Sequence, residues 1–201
     1  MSKFLVVTDA HGATLVDLTV THKSLVVAGS KGITWLIFGA TPDAIKRLQR
    51  RWSFRRVQVV ATADEFKTGD FVVFLNAGDG LYRESLVSLR EVIDKNVTAD
   101  LIYGDSAHST GIKVEPLSFV RRPGWSPERL RAHCYVGETL VARTDVIAKV
   151  GSITDLALRH PHDRALQLCE VAKNIVRMPE ILTMATSHDT RPSASLTAVV
   201  E

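Results

Sequence analysis

The stretch Asp70-Phe-Val-Val-Phe-Leu-Asn-Ala-Gly-Asp79 puts two oxygen-bearing side chains, Asn76 and Asp79, on a glycine-containing turn directly after an apolar run. Phe71 to Leu75 is too short for a surface helix and rich in β-formers. It reads as a strand buried on both faces at the centre of a parallel sheet. Such sheets bind ligands at the carboxyl ends of their strands, where Asn76 and Asp79 emerge. Asp105 closes a second run of this kind, Asp100-Leu-Ile-Tyr-Gly-Asp105. Right-handed crossovers put these strand ends on one rim, with Asp105 approaching the Asn76–Asp79 turn. The alternative is structural, since Asn, Gly and Asp are ordinary turn and helix-capping residues. Spacing alone leaves both readings open.

The elements that must position these residues follow an alternating pattern. Phe4-Leu-Val-Val-Thr8, Thr34-Trp-Leu-Ile-Phe38, Val57-Gln-Val-Val-Ala61 and Phe71–Leu75 read as strands. Helices are predicted over 15–28, from Pro42 to about Trp52 with Thr41 as cap, and over 83–96 with Leu86, Leu89, Val92 and Ile93 inward. Strand and helix in alternation predict an α/β fold with a mostly parallel central sheet flanked by helices. The second half changes character. It offers an extended or hairpin segment over 113–120, a short helix opened by Ser126-Pro127, and a strand over 139–143. A helix follows over 144–151, then another over 163–173, and two edge strands over 174–177 and 179–182. This is a small mixed β segment.

With 201 residues and 45% hydrophobic content, the chain has the size of one domain with a real core. Mean hydropathy is +0.07, and no apolar run approaches the roughly 20 residues of a membrane span. Met-Ser-Lys runs straight into a strand, which predicts no cleaved leader. Cys134 and Cys169 stand far apart in unrelated contexts, as expected of reduced cytoplasmic thiols. Net charge is +3 and the pI about 9.0, compatible with phosphate-bearing ligands or an anionic surface. Lys46, Arg47, Arg50, Arg51, Arg55 and Arg56 make a basic face over 46–56. It is either a solvated helix face or a contact for an anionic membrane. Without interleaved aromatics it predicts no nucleic-acid partner.

These runs, taken in order, resemble family 2 glycosyltransferases of the GT-A (Rossmann-like) fold. The resemblance rests on Asp70 to Gly80, Ala99-Asp-Leu-Ile-Tyr-Gly-Asp105, Arg122-Pro-Gly-Trp-Ser-Pro-Glu-Arg-Leu130 and Tyr135-Val-Gly-Glu138. It continues through Thr139–Arg143, Val146–Gly151, His162-Asp-Arg-Ala-Leu-Gln-Leu168, Ile175–Leu182 and His188. It covers roughly residues 4 to 190, and the ordered series is more specific than any one member. It implies a single domain over 1–190, with a nucleotide-sugar-binding half (1–105), an acceptor-side half (106–190) and a tail over 191–201. It also implies a nucleotide-diphospho-sugar donor, Mn²⁺ or Mg²⁺ across its phosphates, and transfer to a hydroxyl of a glycan or lipid-linked acceptor. The cation would neutralise the diphosphate leaving group, and one carboxylate or His would take the hydroxyl proton.

Carried over residue by residue, the resemblance makes Asn76, Asp79 and Asp105 donor-binding, and Asp79 and His188 metal ligands. The chain departs from the pattern in three places. The acids expected after the second strand are reduced to Asp43 in Ile37-Phe-Gly-Ala-Thr-Pro-Asp43. The Asp-x-Asp of the fourth strand is represented by Asn76-Ala-Gly-Asp79. Pro161 stands where a catalytic acid is expected, which leaves His160, His162 and Asp163 nearby, with His162 and Asp163 the catalytic candidates. Structural alternatives stand beside these roles: a cap or surface His162, a first-turn helix acid at Asp163 and a solvated loop His188.

The expected activity is an inverting sugar transfer in surface polysaccharide synthesis, in the cytoplasm and peripheral to the inner face of the membrane. The alternative is a degenerate GT-A-like domain that binds a sugar, a nucleotide or a protein without turnover. A dinucleotide enzyme is a weaker reading, because no G-x-G-x-x-G follows the first strand.

Overall fold

The computed structural model describes residues 4–29, 33–50, 57–60, 71–109 and 118–186. The first half alternates as its periodicity requires: β1 (Phe4–Asp9), α1 (Leu15–Val27), β2 (Ile33–Phe38), α2 (Pro42–Gln49), β3 (Val57–Val60) and β4 (Phe71–Phe74). Thr14 caps α1 reciprocally with Asp17, and Thr41 caps α2 by accepting the Ala44 N–H, with Pro42 at the first helical position. After β5 (Gly80–Leu81) and α3 (Ser85–Lys95) come β6 (Leu101–Ser109) and β7 (Ser118–Val120). The rest is α4 (Pro127–Ala132), β8 (Leu140–Arg143), α5 (Thr144–Val150), α6 (Ile153–Leu158), α7 (Pro161–Val171) and β9 (Ile175–Thr186).

Among the described residues the strands form one continuous sheet, in the order β3-β2-β1-β4-β8-β6-β9-β5, with β7 on β6. β3, β2, β1 and β4 are parallel neighbours. β8 then enters antiparallel between β4 and β6, and β9 runs parallel to β6 and antiparallel to β5. The mixed β segment of the second half therefore continues the parallel sheet of the first. Alternation along β1 fixes the two layers. Phe4 and Val6 face one apolar cluster with Trp35, Phe71, Leu18, Leu25, Leu86 and Leu89, from α1 and α3. Leu5 and Val7 face the other with Phe74, Leu130, Val146, Ile147, Leu156 and Leu168, from α4 to α7.

Three expectations shift. The two edge strands over 174–182 are one interior strand, β9. Its pairing with β6 changes register at Gly104/Asp105 and Asp105/Ser106, where Pro179 and Glu180 are looped past. β6 runs on to Ser109, so Asp105 is mid-strand. α7 starts at Pro161, a residue suited to the first helical position. Trp52, the basic residues 51–56, residues 113–117, His188 and the 191–201 tail lie outside the described residues.

Candidate functional site

The carboxyl rim of the parallel strands is where α1, β9, β8 and α7 converge on the turn after β4. Leu75 extends β4 through its N–H to the Val7 carbonyl, and the turn closes from the Asp79 N–H to the Asn76 carbonyl. Gly78 adopts φ +88°, a conformation that glycine takes without steric cost. Thr21, buried on α1, grips the turn twice. Its Oγ1 accepts the Gly78 N–H at 3.0 Å and donates to the Asp79 carbonyl at 2.8 Å. From the other side, the Thr186 Oγ1 donates to the Gly78 carbonyl. The turn is thus held by two threonines far from it in sequence.

Asp79 is 7% exposed, and its Oδ1 accepts the Thr186 N–H at 3.2 Å. Asn76 points elsewhere, and its Nδ2 donates to the Oε2 of Glu138, which precedes β8. Arg164, only 3% exposed on α7, lies below. Its Nη2 donates to the Glu138 carbonyl at 2.9 Å, and its guanidinium sits 4.7 Å over the Phe74 ring. Burial pushes the Arg164 guanidinium down to about 10, so it stays charged at neutral pH.

Asp105 does not join this group. Its carboxylate accepts the Arg122 backbone N–H at 2.8 Å and pairs with Arg177 at 3.0 Å. Asp105 contributes instead to the wall of a groove of about 460 Å³ with Tyr82, Arg83, Phe119 and Glu180. His162 is fixed as well. A carbonyl oxygen cannot donate, so the 2.5 Å contact with the Leu130 carbonyl requires a proton on Nε2. That ring nitrogen ties α7 to α4. Asp163 is exposed in the first turn of α7, beside the dipole end that favours an acid.

A second opening lies on the same rim. A cleft of about 390 Å³ lies past the ends of β1 and β2, between α1 and α2, walled by Ala10, Gly12, Gly39, Thr41, Asp43 and Arg47. Beside it the Asp9 Oδ1 accepts the His11 N–H at 3.0 Å and pairs with His11 Nδ1 at 2.6 Å. Gly39, at φ +72°, lies against the His11 ring, where a methyl group would come within 2.6 Å. Arg47 bridges Asp43 one turn earlier on α2 at 2.8 Å, and both side chains are largely exposed.

No family model matches the chain. S. aureus TarS in complex with UDP-GlcNAc superposes with a TM-score of 0.64 at 16% identity, over 94% of this chain and 60% of that one. Mannosyltransferase PcManGT from Pyrobaculum calidifontis, in complex with GDP-Man and Mn²⁺, gives 0.57 at 10% identity, over 92% of this chain and 57% of that one. The chain has a glycosyltransferase fold. In sequence it is 28% identical over 167 residues to the O-antigen biosynthesis protein RfbC of Myxococcus xanthus, covering 74% of this chain and 13% of that protein. It therefore spans only part of each of these relatives.

The expected Mn²⁺ or Mg²⁺ would need several oxygen or nitrogen ligands on one point. Among the described residues no three His, Cys, Asp or Glu side chains converge on a point. Asp79 is buried and holds Thr186, Asp105 holds two arginines, and the third position of the turn is Gly78, which has no side chain. The described residues do not fit a resident divalent cation. Sequence reasoning missed Glu138 and Arg164, the two residues that organise the rim around Asn76.

Proposed function

We propose that this chain transfers a sugar from a nucleotide-diphospho-sugar to an acceptor hydroxyl, in the synthesis of a surface polysaccharide. The observation that carries the reading is the position of the β1–β2 cleft on the same rim as the Asn76–Asp79 turn. The fold is one that TarS uses with UDP-GlcNAc. The likeness to RfbC supports the polysaccharide role.

In this reading the cleft takes the nucleoside. Asp43 and Arg47 supply a carboxylate and a guanidinium at its wall, and Gly12, where a methyl group would meet nothing within 4 Å, lets a ligand approach the backbone. The diphosphate and sugar continue across β4 toward β8. The acceptor oxygen forms the new bond to the anomeric carbon while the bond from that carbon to the diphosphate breaks. The hydroxyl proton passes to a carboxylate, and the nucleoside diphosphate leaves. Asp163 is the assigned proton acceptor, because it is exposed at the start of α7 while the His162 Nε2 is engaged with Leu130.

The test is a thermal-shift panel of UDP, GDP, dTDP and their hexosyl derivatives, with and without Mn²⁺. A ligand at a hundredfold excess over its dissociation constant stabilises the native state by about 2.7 kcal/mol. A shift with one nucleotide-sugar, and release of its diphosphate when an acceptor glycan is added, supports transfer. A second reading, binding without turnover, is favoured by Pro161 at the expected acid position and by the lack of a metal-holding acid cluster among the described residues. It expects the shift without the release. No shift with any nucleotide overturns the transfer reading and favours binding of a glycan or a protein without turnover.

A further inference from the structure

Glu138 is an exposed carboxylate, yet it is held more firmly than surface carboxylates usually are. Its backbone carbonyl is bound from below by the buried Arg164 guanidinium, and its Oε2 takes the Asn76 Nδ2–H. Arg164 is itself clamped between the Phe74 ring and the Leu156 carbonyl at 3.4 Å. The contact between Glu138 and Asn76 leaves two oxygens, Glu138 Oε1 and Asn76 Oδ1, with no hydrogen-bond partner among the described residues. They lie on adjacent side chains at the rim. A rigid pair of acceptors matches two neighbouring hydroxyl groups, the feature that a hexose offers and a phosphate lacks. A phosphate beside Glu138 would meet like charge.

The sheet order says which part of a ligand would reach this pair. From the cleft at β2 and β1, the rim passes β4 and then β8, three strand spacings or about 14 Å. A ligand with its nucleoside in the cleft runs toward β8 in the order ribose, diphosphate, sugar. We infer that Glu138 and Asn76 together accept hydrogen bonds from two adjacent hydroxyls of the donor's hexosyl group. Glu138 thereby becomes a specificity-determining residue of the site. The inference rests on the transferase reading above and extends it to the sugar.

Arg164 serves as a positioning residue. It touches no ligand but fixes the Glu138 main chain, and α7 carries it one residue after Asp163. The sugar subsite and the assigned proton acceptor are therefore set by the same helix turn.

The test is calorimetric titration of this chain with a nucleoside diphosphate and with the matching nucleotide-hexose, using the base that the thermal-shift panel selects. In the native chain the hexose should add affinity over the diphosphate alone. Glu138→Ala should weaken the nucleotide-hexose at least tenfold and leave the nucleoside diphosphate within twofold. Glu138→Gln, which keeps an acceptor oxygen, should recover part of the loss. A donor with one of the contacted hydroxyls replaced by hydrogen should bind weakly to the native chain and lose nothing further in Glu138→Ala. A hexose increment that survives Glu138→Ala overturns the inference and leaves the transferase reading standing. Equal loss of both ligands also overturns it. Failure of the native chain to bind any nucleotide overturns the transferase reading, and the inference with it. Unchanged thermal unfolding of the exposed-site variants separates these results from misfolding.

Discussion

The Asp79 carboxylate accepts the Thr186 backbone N–H at 3.2 Å, joining the turn after β4 to the last residue of β9 across 107 positions of sequence. A residue that the resemblance makes a metal ligand is thus also a staple between two strand ends. Hydrogen bonds to charged groups contribute about 1.5–3 kcal/mol. Asp79→Ala should therefore lower unfolding stability in urea by about 2 kcal/mol, and Asp79→Asn, which keeps an acceptor, by less. If Asp79→Asn instead abolished Mn²⁺ binding while stability held, the carboxylate would be a ligand and not a staple.

Asp105 has the same character on a larger scale. It is 4% exposed, it takes the Arg122 N–H and it pairs with Arg177, whose side chain is 30% exposed. Breaking a buried pair by removing one partner costs about 3–5 kcal/mol. The exposure of Arg177 puts Asp105→Ala at the low end, about 3 kcal/mol by denaturant unfolding. The double variant Asp105→Ala/Arg177→Ala should lose less than the sum of the single variants, because the second change removes the stranded charge. Strict additivity would show that the pair is not coupled.

What the sequence could tell follows from how far each signal reaches. The caps of α2 and the buried strand β4 are local chemistry, so Thr41-Pro42 and Phe71–Phe74 were readable. The insertion of β8 between β4 and β6, and of β9 between β6 and β5, is decided by long-range pairing. No local pattern encodes it. That is why β9 reads as two edge strands. Pro179 looks like a break, but it is absorbed in the register shift.

The site has the same history. Looking past the carboxyl ends of strands finds Asn76 and Asp79, but β8 is antiparallel. Glu138 reaches the rim from the residues before its strand, where that rule does not look. The signals available for the pair were an acid two residues before the apolar strand Leu140–Ala142 and an arginine beside the buried helix residues Ala165 and Leu168. The departures at Asn76-Ala-Gly-Asp79 and Pro161 were legible, because each is a local difference in residue type.

The passage of β9 over β6 depends on Gly104. A methyl group there would lie 2.8 Å from the Leu182 Cβ and 3.1 Å from the Glu180 carbonyl oxygen, in the segment where the register shifts. Both obstacles are close to the main chain, so a rotamer change cannot relieve them. Overpacking of this kind costs about 1–3 kcal/mol. Gly104→Ala should fall in that range by thermal or urea unfolding, whereas Gly124→Ala, where a methyl meets nothing within 4 Å, should change stability little. Equal effects at the two glycines would show that β6 and β9 can separate without cost.

The two thiols give the fold a dependence on alkaline pH whose sign can be worked out. Burial pushes the Cys169 thiol up to about 12 from 9.0, with Cys134 nearby adding to the effect, and burial raises Cys134 too. A group whose folded pKa lies above its unfolded value stabilises fully below the unfolded pKa. That contribution is lost as pH rises through the interval between them. For Cys169 the interval runs from about 9 to about 12. Arg164 acts in the opposite sense. Its folded pKa is lowered to about 10 from 12.5, so the cost of burying its charge is relieved between those values. Tyr103, whose phenol is raised by burial, adds a loss of its own above pH 10. Arg164 and Tyr103 begin to titrate between pH 9 and 10 as well, so the thiols' share there is read as the difference from a chain without them. Unfolding followed at pH 8, 9 and 10 should show the native chain losing stability over the last step, while Cys134→Ala/Cys169→Ala loses less. At pH 8 both thiols should react slowly with iodoacetamide in the folded chain and quickly in urea, because the attacking species is the thiolate. Rapid alkylation of the folded chain at pH 8 would mean that the layer around Leu168 opens far more readily than its packing implies.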